Sequence, residues 1–112
     1  MQRIGSFLSA IVLVVSLLVS SQTQSQQIGR PEAGRRLAEQ ICAQCHAVEK
    51  QTFMSPNSAA PRFDVIANTP GMTATALSVA LHTSHRDMPN ITLDPDELSS
   101  IILYILSLKP TD

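Results

Sequence analysis

Apolar side chains recur at helical spacing near the C-terminal end of the chain. Residues 94–110, DPDELSSIILYILSLKP, place them three or four positions apart, so that one helix face is apolar. The members of this stripe are Leu98, Ile101, Ile102, Ile105 and Leu108. Asp94 can cap the helix, Pro95 suits its first turn, and Glu97 follows the cap as in a capping box. The pattern predicts an amphipathic helix that ends before the last proline.

Two earlier segments have the same period. Residues 30–46, RPEAGRRLAEQICAQCH, predict a helix with Pro31 in the first turn and Glu32 where the helix dipole favours an acid. Its apolar positions are Leu37, Ala38 and Ile41. Residues 72–85, MTATALSVALHTSH, predict another helix. Its apolar contacts are expected from Leu77, Val79 and Leu81.

The connecting segments carry loop signals. Residues 47–71 are rich in Pro, Ser and Asn and predict a loop, with a short helix near residues 63–67. Pro89 lacks a backbone donor and restricts Met88 to an extended conformation, so regular structure breaks there. The sequence shows no convincing strand alternation. We therefore predict an all-α protein of two to four helices joined by long loops.

The N-terminal segment predicts export. Arg3 precedes a mainly apolar run over residues 7–19, and small polar residues follow it. This order is typical of a secretory signal peptide, which we place at residues 1–21. An uncleaved membrane anchor is the alternative, but the run is shorter than the roughly 20 apolar residues of a spanning helix. A flexible lead-in over residues 22–29 and a single domain over residues 30–112 would follow.

Charge and size narrow the function classes. The chain has eight Lys and Arg and nine Asp and Glu, and one of the basic residues lies in the predicted signal. This balance argues against a nucleic-acid partner. The predicted domain has three aromatic side chains, Phe53, Phe63 and Tyr104, and is near the size limit for apolar burial alone. A large, flat, apolar cofactor would supplement such a core.

The two cysteines of the chain stand three positions apart, and a histidine follows the second. Positions three and four apart share a helix face, so Cys42, Cys45 and His46 would project together. Two thiols one turn apart can reach both vinyl groups along one edge of a haem, and the imidazole can bind its iron. The C-x-x-C-H spacing therefore predicts one covalently attached c-type haem, with His46 as an iron ligand.

Three other uses of the thiols compete with haem attachment. In an exported protein, Cys42 and Cys45 would by default form a disulfide, but this leaves His46 without a role. A thioredoxin-like dithiol usually accompanies a βαβ pattern, which is missing from the sequence. Zinc bound by both thiols with His82 and His85 has unusual spacing, since structural zinc histidines usually have three to five residues between them.

The other axial position of the iron calls for a second ligand. A methionine thioether favours ferrous iron and raises the potential, as in cytochromes c. Met88 is our first candidate, because its proline-stiffened loop between the last two helices can fold over the far face of the ring. His85 and His82 are the imidazole alternatives. Met54 lies too close to His46 in sequence to cross the ring, and Met72 is expected to fill core.

The chain resembles the class I c-type cytochromes in their small bacterial form, over roughly residues 30–109. The similar segments are CAQCH at 42–46, APRF at 60–63, MPN at 88–90 and the closing helix. The resemblance implies a cytochrome c fold, with three to four helices wrapped around one haem. It also implies that Gly34 on the first helix packs against Tyr104 on the last, with Ile101 one turn before the aromatic. Ala38 stands where the family often has an aromatic, which suggests a slimmer helix crossing.

The resemblance further implies that the backbone carbonyl of Pro61 accepts a hydrogen bond from His46, with Pro56 as a weaker rival. Such an acceptor orients the imidazole and makes its iron-bound nitrogen more electron-rich. Arg62 and Arg86 flank the Pro61 and Met88 segments; we expect solvated surface charges, with docking or pairing to haem propionates as the alternative.

The implied function is that of a periplasmic electron carrier rather than an enzyme. With both axial positions filled, no site for substrate is open, and single electrons would pass through an exposed haem edge. The side chains expected to exclude water from the iron are Leu77, Leu81, Ile91, Leu98 and Ile102. Partners would be redox proteins, a dehydrogenase or an oxidase, and a cleaved chain would have no stable membrane insertion. A dedicated subunit of a periplasmic dehydrogenase and a haem-based sensor or small-molecule binder are the alternatives.

Overall fold

The computed structural model describes residues 29–83 and 87–111 of the chain. Within these ranges the protein is all-helical, with four helices and no strand, as predicted. The helices are α1 (Pro31–Ile41), α2 (Phe63–Ala67), α3 (Ala74–His82) and α4 (Pro95–Ser107). None of the described helices is long and apolar enough to cross a membrane. The predicted signal peptide and residues 22–28 of the lead-in lie outside the described residues.

The start of α4 confirms the predicted capping box. The side chain of Asp94 accepts hydrogen bonds from the backbone N–H groups of Asp96 and Glu97, at 2.9 and 2.8 Å. The Glu97 carboxylate in turn accepts the backbone N–H of Asp94 at 3.0 Å, and Pro95 occupies the first turn. The reciprocal bonds satisfy backbone donors that a helix start leaves without a partner.

The first helix is shorter than predicted, because it ends at Ile41 instead of continuing to His46. The backbone N–H groups of Cys42 and Ala43 both bond to the carbonyl of Ala38, at 2.8 and 2.9 Å. This shared acceptor ends the regular i to i−4 pattern, and turns follow. The prediction of a helix through the C-x-x-C-H motif is therefore wrong.

The third helix also differs from its prediction. It begins at Ala74, after the side chain of Thr73 accepts the N–H of Ala76 at 3.1 Å. Leu77 is buried, but Val79 is 58% exposed, so the expected apolar contact from Val79 is wrong. The helix ends at His82, and residues 84–86 lie outside the described part of the chain.

Among the described residues, α1 and α4 make the most extensive helix–helix contact. A Cβ added to Gly34 would collide with the backbone of Ser100 and would lie 2.9 Å from the N atom of Ile101. Ala38, one turn later, is completely buried. The slimmer crossing expected from Ala38 is consistent with this approach, but the atoms nearest to Gly34 are those of Ser100 and Ile101 rather than Tyr104.

Gly29 extends the same packing before the first helix. It is buried, and an added Cβ would lie 2.6 Å from the Ser100 N atom and 2.7 Å from Ser99. The N–H of Arg30 also bonds to the Ser100 hydroxyl oxygen at 3.1 Å. Gly29 and Arg30 therefore pack against α4 together with α1.

Candidate functional site

The site begins at His46, directly after the turn that follows α1. The Nδ1 atom of His46 lies 2.7 Å from the carbonyl oxygen of Pro61. The hydrogen bond that the resemblance implied between these two residues is present, and Pro61 rather than Pro56 makes it. A carbonyl oxygen only accepts, so Nδ1 must carry the proton. In the neutral ring Nε2 is then unprotonated, and its lone pair is available for a metal.

The backbone around His46 is tied to the loop that returns toward it. The N–H of Asn57 bonds to the Cys45 carbonyl at 3.1 Å, and the N–H of Ala47 bonds to the Ser55 hydroxyl oxygen at 2.9 Å. The N–H of Phe63 bonds to the Ala47 carbonyl at 2.9 Å. These bonds fix the start of α2 against the motif, which brings Pro61 beside His46.

Aromatic packing supports the imidazole from the protein interior. The ring centroids of His46 and Phe63 are 5.5 Å apart, and those of Phe63 and Tyr104 are 6.5 Å apart. The Tyr104 hydroxyl donates a hydrogen bond of 2.8 Å to the Val48 carbonyl. The role of Phe63 was missed in the sequence. Its position as the last residue of the APRF segment of the resemblance was the available signal.

The cysteines, His46 and Met88 line one cleft. Its volume is about 110 Å³, and Pro61 is also part of its wall. The other lining residues are Ile41, Gln44, Asn57, Ala59, Ala60, Asp87, Pro89 and Ile91. The structure therefore brings together all five residues predicted for the haem site, from the turn after α1, the loop before α2 and the loop before α4.

A second cavity of about 370 Å³ lies beside the first. The two cavities share Met88, Pro89 and Ile91 in their walls. Small-molecule and cofactor pockets are commonly about 300–1,000 Å³, so the first cleft alone is small for a porphyrin.

The two thiols have different surroundings. Cys42 is buried and Cys45 is half-buried, and both are free cysteines in the structure. Burial raises the pKa of the Cys42 thiol to about 11. Cys42 is therefore protonated at neutral pH and is a poor nucleophile toward solvent reagents.

Met88 is the methionine that faces the motif. It is half-buried and lines both cavities, and Asp87 before it has φ 61° in the left-handed region. Asp tolerates this conformation better than most residues, and the turn directs the chain into the Met88–Pro89 segment. Met54 is 80% exposed. Met72 packs against the core, as expected. Neither methionine lines the cleft.

Of the two alternative histidine ligands, the described one, His82, is less well placed than Met88. His82 lines the second cavity but not the first, and its Nδ1 lies 2.7 Å from the Ser78 carbonyl oxygen. Over residues 29–83 and 87–111, no three His, Cys, Asp or Glu side chains are grouped to hold a metal ion. Cys42, Cys45 and His82 are therefore not grouped as the zinc alternative requires. His85 lies outside the described residues.

The apolar residues expected around the iron divide into two groups. Ile91 lines both cavities, and Leu81 and Leu98 line the second. Leu77 and Ile102 are buried in the core and line neither. The sequence pattern predicted mainly helix residues around the iron, but residues of the loop before α4 make a large part of the cavity walls.

Arg62 is used within the fold. Its guanidinium makes two hydrogen bonds of 3.0 Å to the Asp64 carboxylate and one of 3.1 Å to the Phe53 carbonyl. The expectation of a solvated surface charge is therefore wrong for Arg62, because its guanidinium is held by the Asp64 carboxylate and binds the loop at the Phe53 carbonyl. Arg86 lies outside the described residues.

Comparison with protein-family models, with curated proteins and with solved structures finds no match to this chain.

Proposed function

We propose that this protein is an exported mono-haem c-type cytochrome that carries single electrons between redox proteins in the periplasm. The observation that supports it best is the convergence of Cys42, Cys45, His46 and Met88 on one cleft. The hydrogen bond from His46 to Pro61 adds a second argument, because it leaves Nε2 free as a donor to a metal.

The residues present fit a c-type haem by the chemistry of their donor atoms. Cys42 and Cys45 would hold the group through thioether bonds, and His46 and Met88 would ligate its iron. When bound, the haem supplies a one-electron couple between ferric and ferrous iron.

The protein's own residues would orient and shield this group. The Pro61 carbonyl fixes the tautomer and the rotation of the His46 ring, and Phe63 packs against that ring. Ile91 adds an apolar wall that limits water. With His46 and Met88 both bound to the iron, a carrier would be favoured over an enzyme, since the iron would have no free position for a substrate.

Intact-mass measurement of protein made with haem-attachment machinery tests this proposal. We expect one haem added per chain, and no addition to the Cys42→Ser/Cys45→Ser double variant. His82→Ala is the matched control and should keep the full addition, because His82 does not line the cleft. A wild-type chain that leaves the same machinery without added mass would contradict the proposal.

A further inference from the structure

One part of the loop between the motif and α2 has no charge, although Glu49 and Lys50 precede it in the chain. Residues 51–61, QTFMSPNSAAP, contain no Asp, Glu, Lys or Arg. Two large apolar side chains project from it, since Phe53 is 82% exposed and Met54 is 80% exposed. They are the two most exposed large apolar side chains of the described chain. Single exposed apolar residues are ordinary, but an adjacent aromatic–methionine pair matches the composition of protein interfaces.

The loop is held in place on both sides of this pair. The Arg62 guanidinium donates to the Phe53 carbonyl at 3.1 Å, and the Ser55 hydroxyl accepts the N–H of Ala47 at 2.9 Å. The N–H of Asn57 bonds to the Cys45 carbonyl. The backbone is thus fixed to the motif and to α2, so the fold itself presents Phe53 and Met54 to solvent.

The same loop continues into the cleft. Its later residues Asn57, Ala59, Ala60 and Pro61 form part of the cleft wall. The charge at its end is neutralised, because Arg62 is paired with Asp64. Among the described residues that line the cleft, Asp87 is the one Asp, Glu, Lys or Arg. Over the described residues from Phe53 to Pro61 and along the cleft wall, no cationic side chain is therefore left unpaired to steer an acidic partner.

We propose that loop 51–61 is the docking surface for the redox partner, and that the partner is a protein with an uncharged apolar hollow that receives Phe53 and Met54. This inference rests on the proposed electron-transfer function. Two anchoring side chains suit the small, weak interfaces of redox encounters, below about 1,200 Å², rather than a stable dimer. Membrane-surface segments combine apolar with basic residues, and this loop has none of the latter.

Gold electrodes coated with alkanethiol monolayers provide defined stand-ins for the partner surface. One coating ends in mixed methyl and hydroxyl groups, a second in carboxylates. Adsorbed mass and voltammetric current are recorded for the haem-loaded wild type, for Phe53→Ser/Met54→Ser and for Val79→Ser. Val79 is a matched control, because it is exposed and apolar but lines neither the cleft nor the adjoining cavity.

The wild type is expected to bind the methyl–hydroxyl coating more tightly than the carboxylate coating. The double variant should bind it at least about tenfold more weakly, because burial of even one such side chain corresponds to that factor. Val79→Ser should match the wild type. Binding should change less than about twofold between 0.01 and 0.5 M salt, since screening acts on charges.

Equal binding by the double variant and the wild type would overturn the docking surface. Binding only to the carboxylate coating, with loss of that binding in salt, would also overturn it. So would a dimer in sedimentation that the double variant abolishes. Flotation of the wild type, but not of the double variant, with neutral-lipid vesicles would overturn it as well. A coloured protein with any of these results contradicts the docking surface alone. A colourless protein without haem overturns the proposed function, and the inference falls with it.

Discussion

The hydroxyl of Tyr104 on α4 donates a buried hydrogen bond of 2.8 Å to the carbonyl of Val48, 56 residues earlier in the chain. Val48 lies two residues after His46, and the Tyr104 ring packs 6.5 Å from Phe63, which contacts the imidazole. The last helix thus anchors the segment that carries the candidate iron ligand. The site depends on long-range packing as well as on the local motif.

A substitution that removes the Tyr104 hydroxyl and keeps the aromatic ring should destabilise the protein. We expect Tyr104→Phe to lower the free energy of unfolding by about 1–3 kcal/mol, because the Val48 carbonyl is left buried without its donor. Urea unfolding of the haem-loaded protein, followed by far-ultraviolet circular dichroism, measures the change. Thr69→Val removes an exposed hydrogen bond to Val65 and should cost much less. Equal losses in the two variants would contradict the anchoring role.

The approach of α1 to α4 should tolerate no side chain at Gly34. We expect Gly34→Ala to destabilise the fold by about 1–3 kcal/mol, because the added methyl meets the backbone of Ser100 and forces the helices apart. Ser100→Gly should not rescue it, since the collision is with backbone atoms. Thermal unfolding of both single variants and the double variant checks this. Full rescue in the double variant would show that the approach is less close than the structure indicates.

The two thiols should react at different rates in chain made without haem attachment. Burial raises the pKa of Cys42 to about 11 from a usual 9.0, so its thiolate fraction at pH 8 is very small. Cys45, which is half-buried, should be alkylated first by iodoacetamide, as followed by peptide mass spectrometry. Because burial raises the folded-state pKa of Cys42, the free energy of unfolding should fall as pH rises from about 9 toward 11, and this thiol should not change it at lower pH. Equal rates for both thiols at pH 8 would contradict the burial of Cys42.

Met88 is predicted to fill the second axial position, and its loss should open the iron to small ligands. Met88→Ala should remove the long-wavelength sulfur-to-iron charge-transfer band of the ferric protein and let the reduced protein bind carbon monoxide at neutral pH. Met54→Leu is the control and should keep the band, because Met54 is exposed and away from the cleft. Ready carbon monoxide binding by the wild type would instead favour a sensor or small-molecule binder.

Sequence pattern was sufficient for the helices with strong local signals. The capping box of α4 and the short helix Phe63–Ala67 were predicted because their determinants lie within a few residues. The end of α1 was not predicted. The backbone N–H groups of Cys42 and Ala43 share the Ala38 carbonyl, and no residue type in the motif indicates that the helix ends there. The pairing of Arg62 with Asp64 is local to the start of α2, and the exposure of Val79 depends on tertiary packing; helical periodicity encodes neither.

The predicted site residues converge in the structure, but the reason for their convergence was only partly visible in the sequence. The C-x-x-C-H spacing identified Cys42, Cys45 and His46 by local chemistry alone. The contact with Pro61 came from family resemblance, because a loop of 14 residues separates it from His46. The bonds that fold this loop back, from Asn57 to Cys45 and from Phe63 to Ala47, join backbone atoms and leave little trace in residue identity.

The most direct test of the central claim is an absorption spectrum of the protein produced with haem-attachment machinery, taken before and after denaturation and acid–organic extraction. We predict haem absorption that stays with the polypeptide through extraction, because Cys42 and Cys45 would hold the group by thioether bonds. A colourless polypeptide, with a disulfide between the same cysteines or with bound zinc, would contradict the account.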